Sequence, residues 1–270
     1  MIDPGLIGDI LREAATEIIA PRFERLGVGD VSEKSPGEVV TVADQEAEEF
    51  ITGRLNQLTP GIPVVGEEAV SDNPGLLDAL GTSGAAWLVD PLDGTANYAQ
   101  GDHHWAVMAA LVQHGETVAA AIYRHRDQCL YLAELGGGAW CNGKRLVASP
   151  SVRPGLDTIR GAVLTRFLTD NERQIMLPRL SSFGEVTPGY QCAGYEYPAI
   201  VEGEEDFALF QRTLPWDHAP GVLLLTEAGG TALHPDGTPY RPGVARRGLL
   251  LASSPAVWEC VHEVLYPSHL

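Results

Sequence analysis

The sequence predicts two halves of different class: an α+β half over residues 1–150 with an antiparallel sheet, and an α/β half over residues 151–270 with a mixed sheet. Three observations predict it. Apolar residues near the N-terminus recur at steps of three and four, the period of an amphipathic helix. Between Trp105 and Leu146, apolar runs are separated by turn signals at His114-Gly115, His125 to Gln128, Gly136-Gly137-Gly138 and Asn142-Gly143, as in successive hairpins. Beyond Pro154, strand-like and helix-like segments alternate.

Taken in order, residues 4 to 26 read as a helix on Leu6, Ile7, Ile10, Leu11, Ala14, Ile18 and Ile19, with Asp3 as N-cap and Pro4 as first helical residue. A loop through Lys34-Ser35-Pro36-Gly37 follows. A second helix begins near Asp44, its plausible N-cap, and carries Ala47, Phe50, Ile51, Leu55 and Leu58. Ile62 to Gly66 is a short strand leading into Glu67-Glu68, and Ala86 to Val89 is a buried strand leading straight into Asp90. After the hairpins, Pro150 to Pro154 marks a boundary. The second half reads as strand 159–164, helix 170–181, a helix including 196–202, strand 207–210, a helix from Asp217 to Ala228 closed by Gly229-Gly230, strand 249–252 and a final helix 255–265.

Composition narrows the function. The chain carries 18 basic and 36 acidic residues, a formal net charge of −18. Such a polyanion is not built to grip a nucleic acid polymer or an anionic membrane surface. Cys129, Cys141, Cys192 and Cys260 form neither a zinc-ligand spacing nor a compact disulfide framework, so they read as reduced thiols. Met1-Ile2-Asp3-Pro4 opens no signal peptide, and no apolar run approaches the roughly 18–20 residues of a membrane span. A cytoplasmic protein is expected.

Three stretches carry chemistry. In Trp87-Leu88-Val89-Asp90-Pro91-Leu92-Asp93-Gly94-Thr95, an apolar strand ends in two aspartates, and Pro91 and Gly94 turn the chain. Two ionised carboxylates aimed at one point repel, so one takes a proton or a cation sits between them. Gly94 and Thr95 add N–H groups and a hydroxyl suited to phosphate oxygens. The same residues also make an ordinary turn. Glu67-Glu68 follows the strand Val64-Val65, although a Glu pair is commonly just solvated charge. Asp217, in Trp216-Asp217-His218, opens an apolar helix and serves equally as an N-cap. Nothing here matches a nucleophilic Asp-x-Asp or a His-Glu-x-x-His metal site, and His103-His104 are adjacent and so do not share one helix face.

Together, Thr41-Val42-Ala43-Asp44, Glu67-Glu68, Asp90-Pro91-Leu92-Asp93-Gly94-Thr95, Gly138 to Gly143 and Trp216-Asp217 closely resemble the inositol monophosphatase family, over about Lys34 to Gly230. The resemblance implies the layered α-β-α-β-α sandwich of the sugar-phosphatase type and hydrolysis of a small phosphate monoester with two or three Mg²⁺ ions. It implies that Glu67, Asp90 and the Leu92 carbonyl hold one ion, that Asp90, Asp93 and Asp217 hold a second, and that a looser third touches Glu67. Thr95 with Asp44 resembles the family's water-orienting dyad, assisted by Glu67. The same resemblance implies that Asp93, Gly94 and Thr95 form the phosphate site and that Glu68 stands behind the ligands. Lithium sensitivity and a homodimer follow from the same resemblance.

The substrate is open. Inositol-preferring members place an acid seven positions before the second-half aspartate; here that position is Phe210. Glu196, in the bulky run Gly194-Tyr195-Glu196-Tyr197, and Arg212 are further candidate substrate contacts; Arg212 suits either a second phosphate or a surface salt bridge. Fructose 1,6-bisphosphate, histidinol phosphate and 3′-phosphoadenosine 5′-phosphate are alternatives within the superfamily. A non-catalytic regulatory binding protein is the alternative of another class.

Overall fold

The computed structural model describes residues 2–35, 38–148 and 155–267. The expected boundary at Pro150 to Pro154, like Pro36 and Gly37 of the loop, lies outside the described residues. Helix α1 (Pro4–Ala14) is capped by Asp3, whose Oδ1 accepts from Gly5 N at 2.8 Å. It does not continue to residue 26. It widens into a π turn over Ala15–Ile19, tightens into a 3₁₀ turn over Ala20–Arg22 and stops. Pro21 has no N–H to donate to the previous turn, which unwinds the helix there. The loop expected after it instead holds a two-stranded ribbon, β1 (Val31–Ser35) and β2 (Glu38–Thr41).

Helix α2 (Val42–Leu58) leads to β3 (Val64–Gly66), then α3 (Glu67–Asp72), α4 (Ala79–Thr82), β4 (Ala85–Asp93) and α5 (Thr95–Ala99). The expected hairpins are β5 (Ala106–Gln113), β6 (Glu116–Arg124), β7 (Cys129–Glu134), β8 (Gly138–Cys141) and β9 (Lys144–Leu146). Strands β3 to β9 lie in chain order in one sheet, antiparallel except for the β3–β4 pair.

The second half supplies β10 (Arg160–Val163), α6 (Asp170–Leu180), β11 (Glu185–Thr187), α7 (Ala193–Glu202), β12 (Phe207–Phe210), α8 (Pro215–Glu227), β13 (Thr231–Leu233), β14 (Leu249–Ala252) and α9 (Pro255–Leu265). Its mixed sheet has the order β11-β10-β12-β14-β13. Short strands β11 and β13 escape the pattern reading because three residues are too few to show alternation.

Strand alternation sorts the core into layers. Trp87 and Val89 of β4, and Val107 and Ala109 of β5, pack with α1 and α2. Their neighbours Ala86, Leu88, Ala106 and Met108 face the opposite way and pack with Tyr197 of α7 and Leu224 of α8. Ala208 and Phe210 of β12 close the far side of that central helix layer, while Phe207 and Leu209 face Trp258 and Val261 of α9. The result is the α-β-α-β-α sandwich, with α7 and α8 between the two sheets. Among the described residues, no helix is long and apolar enough to cross a membrane.

Candidate active site

The same alternation aims Asp90. Positions 86, 88 and 90 of β4 share the face turned to α7 and α8. Contrary to expectation, β4 does not end at Asp90. It continues to Asp93 through a bulge: Asp90 pairs with Met108 and Asp93 with Ala106, so the register slips by one residue. Pro91 has no N–H for the ladder, and Leu92 N instead turns back to Asp90 Oδ1 at 3.1 Å. Asp93 is then held from α7, where Gly194 N and Cys192 Sγ donate to its Oδ2 at 2.6 and 2.9 Å. Gly94 follows with φ +82°, and a Cβ there would stand 2.6 Å from the His104 carbonyl oxygen. Only glycine fits both demands.

Thr95 opens α5. Its Oγ1 lies 2.8 Å from both Asp44 Oδ1 and the Leu92 carbonyl oxygen. Asp44 is not the N-cap of α2; Thr41 is, and Asp44 is the reciprocal partner three residues on. Thr41 N and Oγ1 donate to Asp44 Oδ2 at 2.8 and 2.6 Å, which fixes Oδ1 toward Thr95. Burial pushes the Asp44 carboxyl up to about 6 despite these donors.

Glu67 and Glu68 form the first turn of α3, with Gly66 as its cap. Lys34 Nζ, from β1, donates to Glu67 Oε1 at 3.1 Å and to Glu68 Oε1 at 2.6 Å. Burial raises the Glu68 carboxyl to about 7 even against this ammonium. Asp217 is the third residue of α8, whose N-cap position is Leu214, so the expected capping role falls away.

The structure brings Glu67, Asp90 and Asp217 together: one carboxylate oxygen from each lies within 4.8 Å of the other two. Burial, and then the charge of Glu67, lift both Asp90 and Asp217 well above the ordinary carboxylate range. Asp93 rises to about 6 for the same two reasons, offset by its donors. These three carboxylates, Leu92, Asp93, Gly94 and Thr95 line one cleft. Such a set of hard oxygen donors, buried at Asp90 and half-buried at Glu67 and Asp217, suits Mg²⁺, which selects carboxylate, carbonyl and water oxygens.

The outer wall differs from the cage. Phe210 and Arg212 line the cleft. The Phe210 ring stacks on Tyr197 at 6.0 Å and meets His218 edge-on at 4.7 Å. Arg212 is ion-paired to Glu38 of the ribbon and lies 4.4 Å from the Phe167 ring centroid. Glu196 does not reach the cleft. It is fully buried, and its Oε1 accepts from Tyr190 N at 2.5 Å. His103 packs on Phe23 at 4.7 Å, and His104 on Tyr195 at 5.0 Å.

Sequence reasoning does not reach Lys34, Cys192 or His218. Burial lowers His218 to about 4, so it is neutral; its Nε2 lies 3.0 Å from the Arg212 carbonyl oxygen and its Nδ1 accepts from Tyr197 at 2.9 Å. Apart from the six-residue span between Arg212 and His218, these contacts join segments 21 or more residues apart, and no local spacing signals them.

Fold and site together define a phosphoric monoester hydrolase of layered α/β architecture. The sequence matches the inositol monophosphatase family over residues 9–268. It is 34% identical over 212 residues to an inositol-1-monophosphatase of Rhizobium meliloti, covering 77% of this chain and 76% of that one. It is 29% identical over 255 residues to the inositol-1-monophosphatase of Bacillus subtilis, covering 94% and 92%. The extragenic suppressor protein suhB of Bartonella henselae has the same fold, with a TM-score of 0.82 at 23% identity over 98% of both chains. The chain belongs to the inositol monophosphatase family.

Proposed function

We propose that this chain hydrolyses a small phosphate monoester with Mg²⁺ held by Glu67, Asp90 and Asp217, together with Asp93 and the Leu92 carbonyl. The observation that carries the reading is the convergence of three carboxylates from β4, α3 and α8 within 4.8 Å at the floor of one cleft. Bound Mg²⁺ supplies charge neutralisation for phosphoryl oxygens and a more acidic water. Thr95, donating to Asp44 Oδ1, keeps a lone pair free to accept from the attacking water. Gly94 and Thr95 line the same cleft, and their N–H groups are the donors this reading assigns to phosphate oxygens. Residues 1–150 bring Glu67, Asp90 and Asp93, and residues 151–270 bring Asp217, so hydrolysis needs both halves.

The outer wall argues against a polyol-specific pocket. Phe210 offers no acceptor to ring hydroxyls, and the buried Glu196 offers none in its place. Arg212 at the rim favours a leaving group with an acceptor or a second anion. Family membership supports two or three ions, lithium inhibition and a cytoplasmic homodimer. The test is phosphate release from a panel of monoesters, including inositol 1-phosphate and fructose 1,6-bisphosphate, with Mg²⁺ and with EDTA. Mg²⁺-dependent turnover is expected. No turnover on any member of the panel refutes the reading and favours a binding role.

A further inference from the structure

We propose that Glu48 is a positioning residue that fixes Glu67 toward its cation by clamping the start of α3 from the side of α2; this rests on Glu67 being a metal ligand. The first N–H groups of any helix lack partners within it, and the N-cap residue of α3 is Gly66, which has no side chain to offer. Glu48 supplies the missing acceptors from a distant element. Its Oε2 accepts from Glu68 N and its Oε1 from Ala69 N, each at 2.8 Å. The carboxylate thus spans the two peptide units that follow Glu67. Helix α3 has only 6 residues, too few to hold its own geometry without such support.

Gly66 gives an independent reading of the same clamp. Its φ of −96° is open to any residue, so conformation does not demand glycine there. Space does. A Cβ on Gly66 would lie 2.3 Å from the Glu48 carboxyl carbon and 2.4 and 2.5 Å from its oxygens. The chain keeps this position bare where the Glu48 carboxylate passes. Glu48 also stands four residues after Asp44, so one face of α2 holds both Thr95, through Asp44, and α3, through Glu48. The hydroxyl that meets water and the carboxylate that meets the cation are therefore referenced to one rigid helix.

The test uses the full chain, stripped with EDTA and titrated with Mn²⁺ by calorimetry and by loss of the free-ion EPR signal. Glu48→Ala is expected to weaken Mn²⁺ binding about 10- to 100-fold, the range found when groups orienting a metal ligand are removed. Glu48→Gln keeps one accepting oxygen and is expected to lose less. Gly66→Ala displaces the carboxylate and is expected to match Glu48→Ala, and the double variant to be no worse than either single one. Circular dichroism and thermal unfolding identify any variant that fails to fold, and Glu48→Gln then carries the comparison. Folded Glu48 and Gly66 variants that bind Mn²⁺ like wild type, beside a Glu67→Gln control that binds weakly, overturn the clamp alone. A Glu67→Gln control that binds like wild type overturns the ligand assignment and the clamp with it.

Discussion

Asp217→Asn separates the two consequences of packing carboxylates together, because they have opposite signs. Unit charges 4.8 Å apart repel by about 3 kcal/mol at an effective dielectric of about 20. Asp217 faces two such partners, Glu67 and Asp90. Partial protonation relieves some of this repulsion, as the raised positions of Asp90 and Asp217 indicate. The metal-free variant is therefore expected to gain about 1–3 kcal/mol, a rise of several degrees in its unfolding midpoint. Mg²⁺ should reverse the ranking. Wild type gains about 2.7 kcal/mol when the ion stands at 100 times its dissociation constant, and the variant gains far less. The sign with pH follows from linkage. A carboxyl lifted in the folded state is fully stabilising below its unfolded value near 3.8, and that contribution is lost as pH rises toward the folded value. Metal-free wild type should thus lose stability above about pH 4, and Asp217→Asn should show a flatter profile. The assays are thermal unfolding with EDTA and with Mg²⁺, and phosphate release. A variant that is less stable without metal, responds to Mg²⁺ like wild type and hydrolyses like wild type refutes the reasoning.

Thr95→Ala should lower kcat by about 10²–10⁴ with little change in Mn²⁺ affinity, since the hydroxyl meets water rather than the ion; steady-state kinetics beside calorimetry check this. Arg212→Ala should alter KM more than the unfolding midpoint, because its half-exposed pair with Glu38 is worth only about 0–1 kcal/mol. Burial, and then the charge of Glu205, raises Glu196 to about 8, and burial raises Glu205 to about 7. Both lie above the unfolded value of 4.5, so the chain should lose stability as pH climbs from about 4.5 and level off once it passes about 7 to 8, and Glu196→Gln should flatten that slope in thermal melts across pH.

What was legible in the sequence was whatever a local pattern dictates. Hairpins announced themselves because Asn142-Gly143 and His114-Gly115 place left-handed turns between apolar runs, and Asn142, Gly143, His114 and Gly115 all take positive φ. The ends of α9 were plain because Pro255 starts it and its apolar stripe stops at Leu265. Helix caps were read less well. Asp44 and Asp217 both sit at the third helical position, where an acid favours the helix terminus as it does at the cap, so composition alone places the boundary two or three residues late. The bulge at Pro91-Leu92 was hidden because a proline after an apolar run signals an end as readily as a kink. The ribbon β1–β2 was missed because Val31 to Ser35 is mostly exposed and shows no clear alternation. Its Lys34 and Glu38 reach across the cleft, and that reach is tertiary.

The buried acids divide by what surrounds them, and this division says which of them await a cation. Asp44 has Thr41 N and Oγ1 and the Thr95 hydroxyl; Glu48 has two helix N–H groups; Asp93 has Gly194 N and Cys192 Sγ. Each of these carboxylates has donors of its own, which is how a protein keeps a buried charge without a metal. Glu67 and Asp90 accept one hydrogen bond each, from Lys34 Nζ and Leu92 N, yet with Asp217 they turn oxygens toward one another at a single point. Arg212 and Lys34 pull the Asp217 carboxyl only partway back from the elevation that burial, Glu67 and Asp93 impose. Gathering three mutually repelling carboxylates around the buried Asp90 costs stability, and the fold spends a β-bulge, a six-residue helix and the N-terminus of α8 on placing them. A divalent ion converts that repulsion into attraction at the one point where all three meet, so the feature that weakens the metal-free chain is the feature that binds the ion.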